Sequence, residues 1–128
     1  MARNEKDILR YWIPVLSWML LIITISSLPG EYIPNVHIID LDKVAHFFEF
    51  FILGILLLRA LLNSNLNIGL AKIVILSIVI ASGYAAIDEW HQQFIPDRIP
   101  NVFDFFADFT GLNIGIFLYK SREKNCQR

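Results

Sequence analysis

The sequence is poor in what a soluble domain uses to face water. Charged residues make up 18% of its 128 residues, and no stretch alternates polar and apolar positions as a water-facing element does. There is one cysteine, Cys126, in a charged C-terminal segment; a disulfide within the chain is impossible, and the residue reads as a spare tail thiol. The formal net charge is −1, so the basic surplus of a nucleic-acid binder is missing, and no nucleic-acid partner is expected. No internal repeat, low-complexity segment or HExxH spacing is present.

What remains is hydrophobic: 55% of the residues, gathered into four blocks at 11–28, 41–62, 68–87 and 102–119. At about 1.5 Å per residue, each block crosses most or all of a hydrocarbon core of about 30 Å. The predicted fold is all-α, a four-helix transmembrane bundle forming a single domain over 11–119. Charged tails flank it at 1–10 and 120–128. Pro14 is expected in the first turn of the first helix, where its missing N–H costs little. The first block also fits a cleaved signal peptide. Its apolar run is long, however, and the other three blocks require a membrane in any case, so it is read as the first span. Pro29, Gly30 and Pro34 open a loop running to about Asp40. Short loops imply antiparallel neighbours.

Orientation follows from the cations. Arg3, Lys6, Arg10, Arg59, Lys72 and the four of the C-terminal tail lie on one side, nine of the eleven; Lys43 and Arg98 lie on the other. The positive-inside rule makes both termini cytoplasmic and turns the loops around 29–43 and 88–101 outward. Nine of the twelve acidic residues fall on that outer side or in the outer halves of helices. Tyr32 and Trp90 outside, with Trp12 and Tyr119 inside, match aromatic belts.

The scarce polar residues converge. Asp42, His46 and Glu49 stand at i, i+4 and i+7, within about 60° of one another on a helix. Asp104, Asp108, Gly111 and Gly115 form one stripe on the fourth helix. Ser77, Ala81 and Ala85 lead along the third toward Asp88 and Glu89. The small residues turn these faces toward other helices, and acids at such depth belong in the bundle interior. A shared polar pocket opening outward is the expectation. Each member also has a structural reading. Asp42 and Asp104 could cap helices, His46 could be a hydrogen-bonded interface histidine, and Glu49 could be a partner for Arg98 or His46. Lys43 reads as an interface residue. Arg98 could be a loop cation, but on an acid-rich side it is expected to pair with a carboxylate or a phosphate. His91, Gln92 and Gln93 are not separable, since at least one should face solvent.

These groups limit the chemistry. No serine or cysteine near the histidines offers a nucleophile–His–Asp arrangement. His46 and Glu49 with one of Asp88, Glu89, Asp104 or Asp108 would suit zinc or manganese, although the spacing does not single out a metal. Arg98 as a clamp, with His46 or Glu49 accepting a proton, would suit a phosphate-bearing headgroup.

Asp42-Lys43-x-x-His46-Phe47, then Asp88-Glu89-x-His91-Gln92-x-Phe94-Ile95-Pro96-x-Arg98, then Asp104-x-x-x-Asp108-x-x-Gly111 together resemble the VanZ-like family of bacterial membrane proteins over about residues 40–115. Two positions depart from it: Asp97 where the family often has glycine, and Asp108 where it often has asparagine. The resemblance implies a multi-pass protein of the bacterial cytoplasmic membrane and cell envelope, in a family named for a teicoplanin-resistance member. It implies no reaction or cofactor, and it does not make this chain an antibiotic-resistance protein.

Two functions stay open. In one, an outward pocket binds or acts on a lipid or a lipid-linked phosphate headgroup. His46, Glu49 and Glu89 would be its catalytic candidates, and Asp42, Asp88, His91, Gln92, Arg98, Asp104 and Asp108 would bind the substrate. The bilayer is one partner; a lipid-linked envelope precursor or a glycopeptide is another candidate. In the other, the same residues hold together a non-catalytic membrane scaffold or binding module. A proton-coupled transporter would require a homo-oligomer, because the chain has no inverted repeats.

Overall fold

The computed structural model describes residues 5–32 and 41–126; Arg3, the loop residues Pro34 and Asp40, and Arg128 lie outside them. Four helices follow in order: α1 (Glu5–Ser26), α2 (Leu41–Asn63), α3 (Leu70–Gln92) and α4 (Val102–Cys126). No strand occurs among the described residues. All four helices are long and apolar enough to cross a membrane.

α2 is the hub and packs against the other three helices. In its membrane-length segment 44% of residues are buried, against 11% in α1, whose Leu9, Ile13, Leu16 and Leu20 stand exposed along one face. Such a stripe is too large for water and natural in lipid, where backbone groups are satisfied within the helix and apolar side chains need no cover. Aromatic side chains help to fasten α1 to the bundle. The Trp12 indole donates to Ser64 Oγ at 3.0 Å and the Trp18 indole to the Glu49 carbonyl at 2.9 Å, while the Tyr84 hydroxyl donates to the Met19 carbonyl at 2.6 Å.

The seam between α2 and α4 is set by glycine. A Cβ on Gly111 would run into the carbonyl oxygen of Phe47, and one on Gly115 into that of Phe51; from the other side, a Cβ on Gly54 would lie 2.6 Å from the Leu112 carbonyl. The backbones approach as closely as small-residue transmembrane packing permits. The predicted stripe Ser77, Ala81 and Ala85 is buried as well.

Several boundaries differ from expectation. α1 begins at Glu5, so Pro14 sits in its interior, where the Arg10 carbonyl has no proline N–H to accept from. α3 runs to Gln92, about a turn beyond the apolar block. The sequence Asp88–Gln92 is therefore helical, because the last turns of a span can be polar where they face protein. α4 continues through most of the C-terminal tail, supported by long helix-forming side chains and a Tyr119 hydroxyl donating to Glu123. Asp42 lies in the first turn of α2, where a carboxylate complements the helix dipole. Asp104 does not cap α4: the Asn101 Oδ1 accepts the Phe103 N–H at 3.0 Å instead, and Asp104 turns inward.

Both interhelical loops at the acidic end meet. The Gly30 N–H donates to the Pro96 carbonyl at 3.1 Å, and a Cβ on Gly30 would collide with the Asp97 carbonyl. Asp97 has a φ of 58°, a left-handed conformation that turns the chain toward Arg98 and α4. The ends of α1 and α3 and the beginnings of α2 and α4 are thereby gathered at one level.

Candidate functional site

His46 is the centre of that level. It stands one turn into α2, about 8 Å along the helix axis from Leu41, and is 3% exposed. Its Nδ1 is 3.0 Å from Asp108 Oδ1 and 4.0 Å from Glu89 Oε1, and its Nε2 is 3.3 Å from Gln92 Nε2. The neutral tautomer that satisfies these contacts donates Nδ1–H to Asp108 and accepts from the Gln92 amide at Nε2, an assignment made from the network. Gln92 also donates to Asp88 Oδ2 at 3.3 Å, and that oxygen accepts the Ser26 hydroxyl at 2.9 Å. A continuous chain, Ser26, Asp88, Gln92, His46, Asp108, thus crosses all four helices.

Around this buried chain lies a rim of ion pairs. Lys43 Nζ is 3.6 Å from Asp104 Oδ1, and the Arg98 guanidinium is 3.9 Å from Asp42 Oδ1. The layers differ in charge balance. Each rim carboxylate has a cation, while Asp88, Glu89 and Asp108 share one imidazole. Buried oxygens without a hydrogen-bond partner concentrate in the inner layer: Asp88 Oδ1, both oxygens of Glu89, and Asp108 Oδ2. Asp104 Oδ1 also has none, though it has the Lys43 ion pair. An unpaired buried carboxylate oxygen is costly, so this layer is arranged for something other than apolar packing.

Two surface hollows each touch the polar end at one of its charged residues. A groove of about 540 Å³ between α2 and α4, lined by Phe47, Phe48, Phe103 and Phe106, has Lys43 at its edge. A crevice of about 440 Å³ between α3 and α4, walled by Ala86, Pro100, Val102 and Phe105, includes Glu89.

The model of the VanZ/LLP1 family matches residues 5–123. The chain belongs to the VanZ/LLP1 family. No curated protein and no solved structure matches it. It is a multi-pass membrane protein by family and by its four spans. The two departures from the family's motifs now have positions in this VanZ/LLP1 fold. Asp97 occupies a left-handed backbone position that glycine adopts without strain. Asp108 accepts a hydrogen bond from His46, which an asparagine carbonyl at that position would also do.

Of the residues singled out in the sequence, His46, Asp88, Glu89, Gln92 and Asp108 come together in the inner layer, and Asp42, Arg98 and Asp104 in the rim. Glu49 stands apart. Its carbonyl accepts from Trp18, but its carboxylate enters no hydrogen bond or ion pair among the described residues, and Arg98 pairs with Asp42 instead. His91 and Gln93 are separated from Gln92 by helical phase: Gln92 is buried, Gln93 is exposed, and no described hydrogen bond or ion pair joins His91 to the cluster. One serine that the sequence did not single out joins the chain of hydrogen bonds at His46. Ser26 belongs to the network, brought there by the end of α1 packing on α3, but its hydroxyl donates to Asp88, and no Ser–His hydrogen bond occurs among the described residues. Its only sequence signal is a hydroxyl at the end of an apolar run. The carboxylates whose oxygens approach His46 closely enough to share a metal are Glu89 with Asp108, or Asp42 with Asp104; Glu49 is in neither group.

Proposed function

We propose that this VanZ/LLP1 protein engages the phosphate headgroup of a membrane lipid or lipid-linked envelope precursor at the outer face of the bacterial cytoplasmic membrane, with both termini cytoplasmic. The observation that carries the reading is the phenylalanine-lined groove between α2 and α4 with Lys43 at its edge. An acyl or polyprenyl chain fits its apolar walls, with the head at Lys43, whose ion-pair partner Asp104 belongs to the rim. Arg98 and Lys43 supply the cations a phosphate needs, exchanging their carboxylate partners for it. His46, Glu89 and Asp108 sit behind them as the groups able to accept or donate a proton. Any link to a glycopeptide response would act through that envelope lipid.

The test uses purified protein in maltoside detergent micelles, which carry no phosphate, with retained lipid identified by mass spectrometry after addition of a polyprenyl phosphate, an anionic diacyl phospholipid or neutral diacylglycerol. Selective retention of a phosphate lipid, reduced by Arg98→Lys and Lys43→Gln in folded protein, supports the reading; the two phosphate arms tell its sources apart. Retention no better than that of diacylglycerol refutes it.

A second reading has its own observation: the Ser26-to-Asp108 chain crosslinks four helices, as a purely structural network would. If Glu89→Gln and Arg98→Lys lower stability in detergent to the same degree as they lower lipid retention, the scaffold reading gains.

A further inference from the structure

We propose that His46, Glu89 and Asp108 form a binding site for a divalent transition-metal ion of the zinc or manganese type. The site belongs to the cluster on which the headgroup reading rests and deepens that reading, but metal binding itself requires no lipid.

The geometry comes first. One ligating atom from each of the three residues lies within 4.8 Å of the other two. His46 Nδ1 is 3.0 Å from Asp108 Oδ1 and 4.0 Å from Glu89 Oε1. Ligands about 2.0–2.1 Å from a tetrahedral ion stand about 3.4 Å apart, so these separations bracket what a small adjustment of the Glu89 side chain would deliver. One imidazole with two carboxylates suits zinc or manganese rather than a thiophilic ion.

The second observation is independent of spacing. Asp108 is fully buried, yet its Oδ2 has no hydrogen-bond partner, and neither does either oxygen of Glu89. These are lone pairs removed from water with nothing to receive them, which an ion would satisfy. The neighbouring group of Asp42, His46 and Asp104 is also compact, but there Arg98 already faces Asp42 and Lys43 already faces Asp104. A second cation between those pairs would meet repulsion, and His46 can serve only one group through Nδ1. The inner group has no lysine or arginine paired to it among the described residues.

The second shell fits as well. With Nδ1 on the ion, the other ring nitrogen carries the proton and needs an acceptor. Gln92 Nε2 lies 3.3 Å from His46 Nε2, and a turn of the amide would present Oε1 there as the acceptor, giving up its donation to Asp88 Oδ2, which keeps the Ser26 hydroxyl as donor. The crevice between α3 and α4 includes Glu89 and provides a path for the ion to enter.

The experiment uses the full chain in detergent, stripped with a chelator, checked for helical content and monodispersity, and dialysed against Zn²⁺ alone or Mn²⁺ alone. Bound metal per chain is then measured. The expected result is one ion per chain, lost in Glu89→Gln and Asp108→Asn and kept in Asp42→Asn. Absence of binding by the wild-type protein overturns the proposal, as does binding that survives in both Glu89→Gln and Asp108→Asn or disappears in Asp42→Asn. Should the variants not fold, X-ray absorption on the wild-type zinc complex decides. One nitrogen with oxygen ligands sustains the site, and a sulfur ligand, which would place the ion at Cys126, overturns it. Because no phosphate lipid is present, metal binding without lipid selectivity would sink only the headgroup reading, and lipid selectivity without metal only this one.

Discussion

Replacing Gly111 by alanine should damage both the fold and the site, because the same contact sets both. The added Cβ would lie 3.0 Å from the Phe47 carbonyl carbon and 3.2 Å from its Cα, and closer still to the carbonyl oxygen. All three are backbone atoms, so no side chain can turn aside. Optimal carbon contacts lie at about 3.5–4.0 Å, and α2 and α4 must part locally by about 0.5–1 Å. Overpacking of this kind costs about 1–3 kcal/mol. A second cost follows from position. Phe47 is the neighbour of His46, and Gly111 is one turn beyond Asp108. The same displacement would stretch the 3.0 Å His46–Asp108 bond past useful hydrogen-bond length, leaving a fully buried carboxylate without its partner. That adds about 1–3 kcal/mol.

Gly83→Ala is the matched control. A Cβ there meets nothing within 4 Å, and the residue is exposed on α3, so the change should be neutral or stabilise by up to about 1 kcal/mol through helix propensity. Unfolding would be followed by circular dichroism as sodium dodecyl sulfate is titrated into mixed micelles. The expected result is a loss of at least about 2 kcal/mol for Gly111→Ala, with no loss for Gly83→Ala. Gly115→Ala, one turn farther from His46, should show the packing cost and spare the hydrogen bond. A Gly111→Ala protein as stable as wild type would refute the glycine seam, and equal damage from Gly83→Ala would show that any added methyl is harmful.

Two other predictions follow from the loop end and the charge distribution. Asp97→Gly should raise stability by up to about 1 kcal/mol in the same titration, because it removes a side chain from a φ of 58°, whereas Asp97→Val should lower it. The lone Cys126 makes topology measurable without removing other thiols: a membrane-impermeant maleimide should label it only after cells are opened, while a Glu31→Cys variant in a Cys126→Ser background should react on intact cells, and the reverse pattern would overturn the positive-inside assignment.

The parts of this fold that the sequence makes legible are those with a period or a length. Four spans follow from apolar runs long enough for a bilayer. The stripe Asp104, Asp108, Gly111 and Gly115 follows from helical phase, and all four residues are buried. Pairings between helices are not periodic, and they are where reading stops. Ser26 and Asp88 are 62 residues apart, as are His46 and Asp108, and only the packing of helices decides which carboxylate receives which donor. Glu49 and Glu89 look equivalent as intramembrane acids. That Glu89 comes within ion-pair reach of His46, while the Glu49 carboxylate lies near the same charges without a hydrogen bond or ion pair among the described residues, depends on the rotation of α2 against α3, which apolar residues around both helices leave undetermined. The Asn101 cap was obscured for a local reason: Asp104 is also a good capping residue, and the choice turned on where α4 begins.

The layering at the acidic end bears on why such a cluster exists in a membrane protein at all. A buried charged pair is weak evidence for stability, since apolar residues of similar volume often serve as well or better. The rim pairs, Lys43 with Asp104 and Arg98 with Asp42, meet the requirement that a carboxylate near the interface be matched by a cation. The inner layer does not meet it. Asp88, Glu89 and Asp108 surround one imidazole, and their unpartnered oxygens point to a composition that packing alone would not favour. Ser26 and Gln92 hold two of these groups in fixed orientation, which adds rigidity without adding charge. Fixed geometry combined with unpartnered carboxylate oxygens is what a cation site requires, and a cation held there would in turn draw a phosphate past Lys43 and Arg98. The two proposals are therefore linked by electrostatics: the ion would give the inner carboxylates their partner and would give the headgroup its reason to enter.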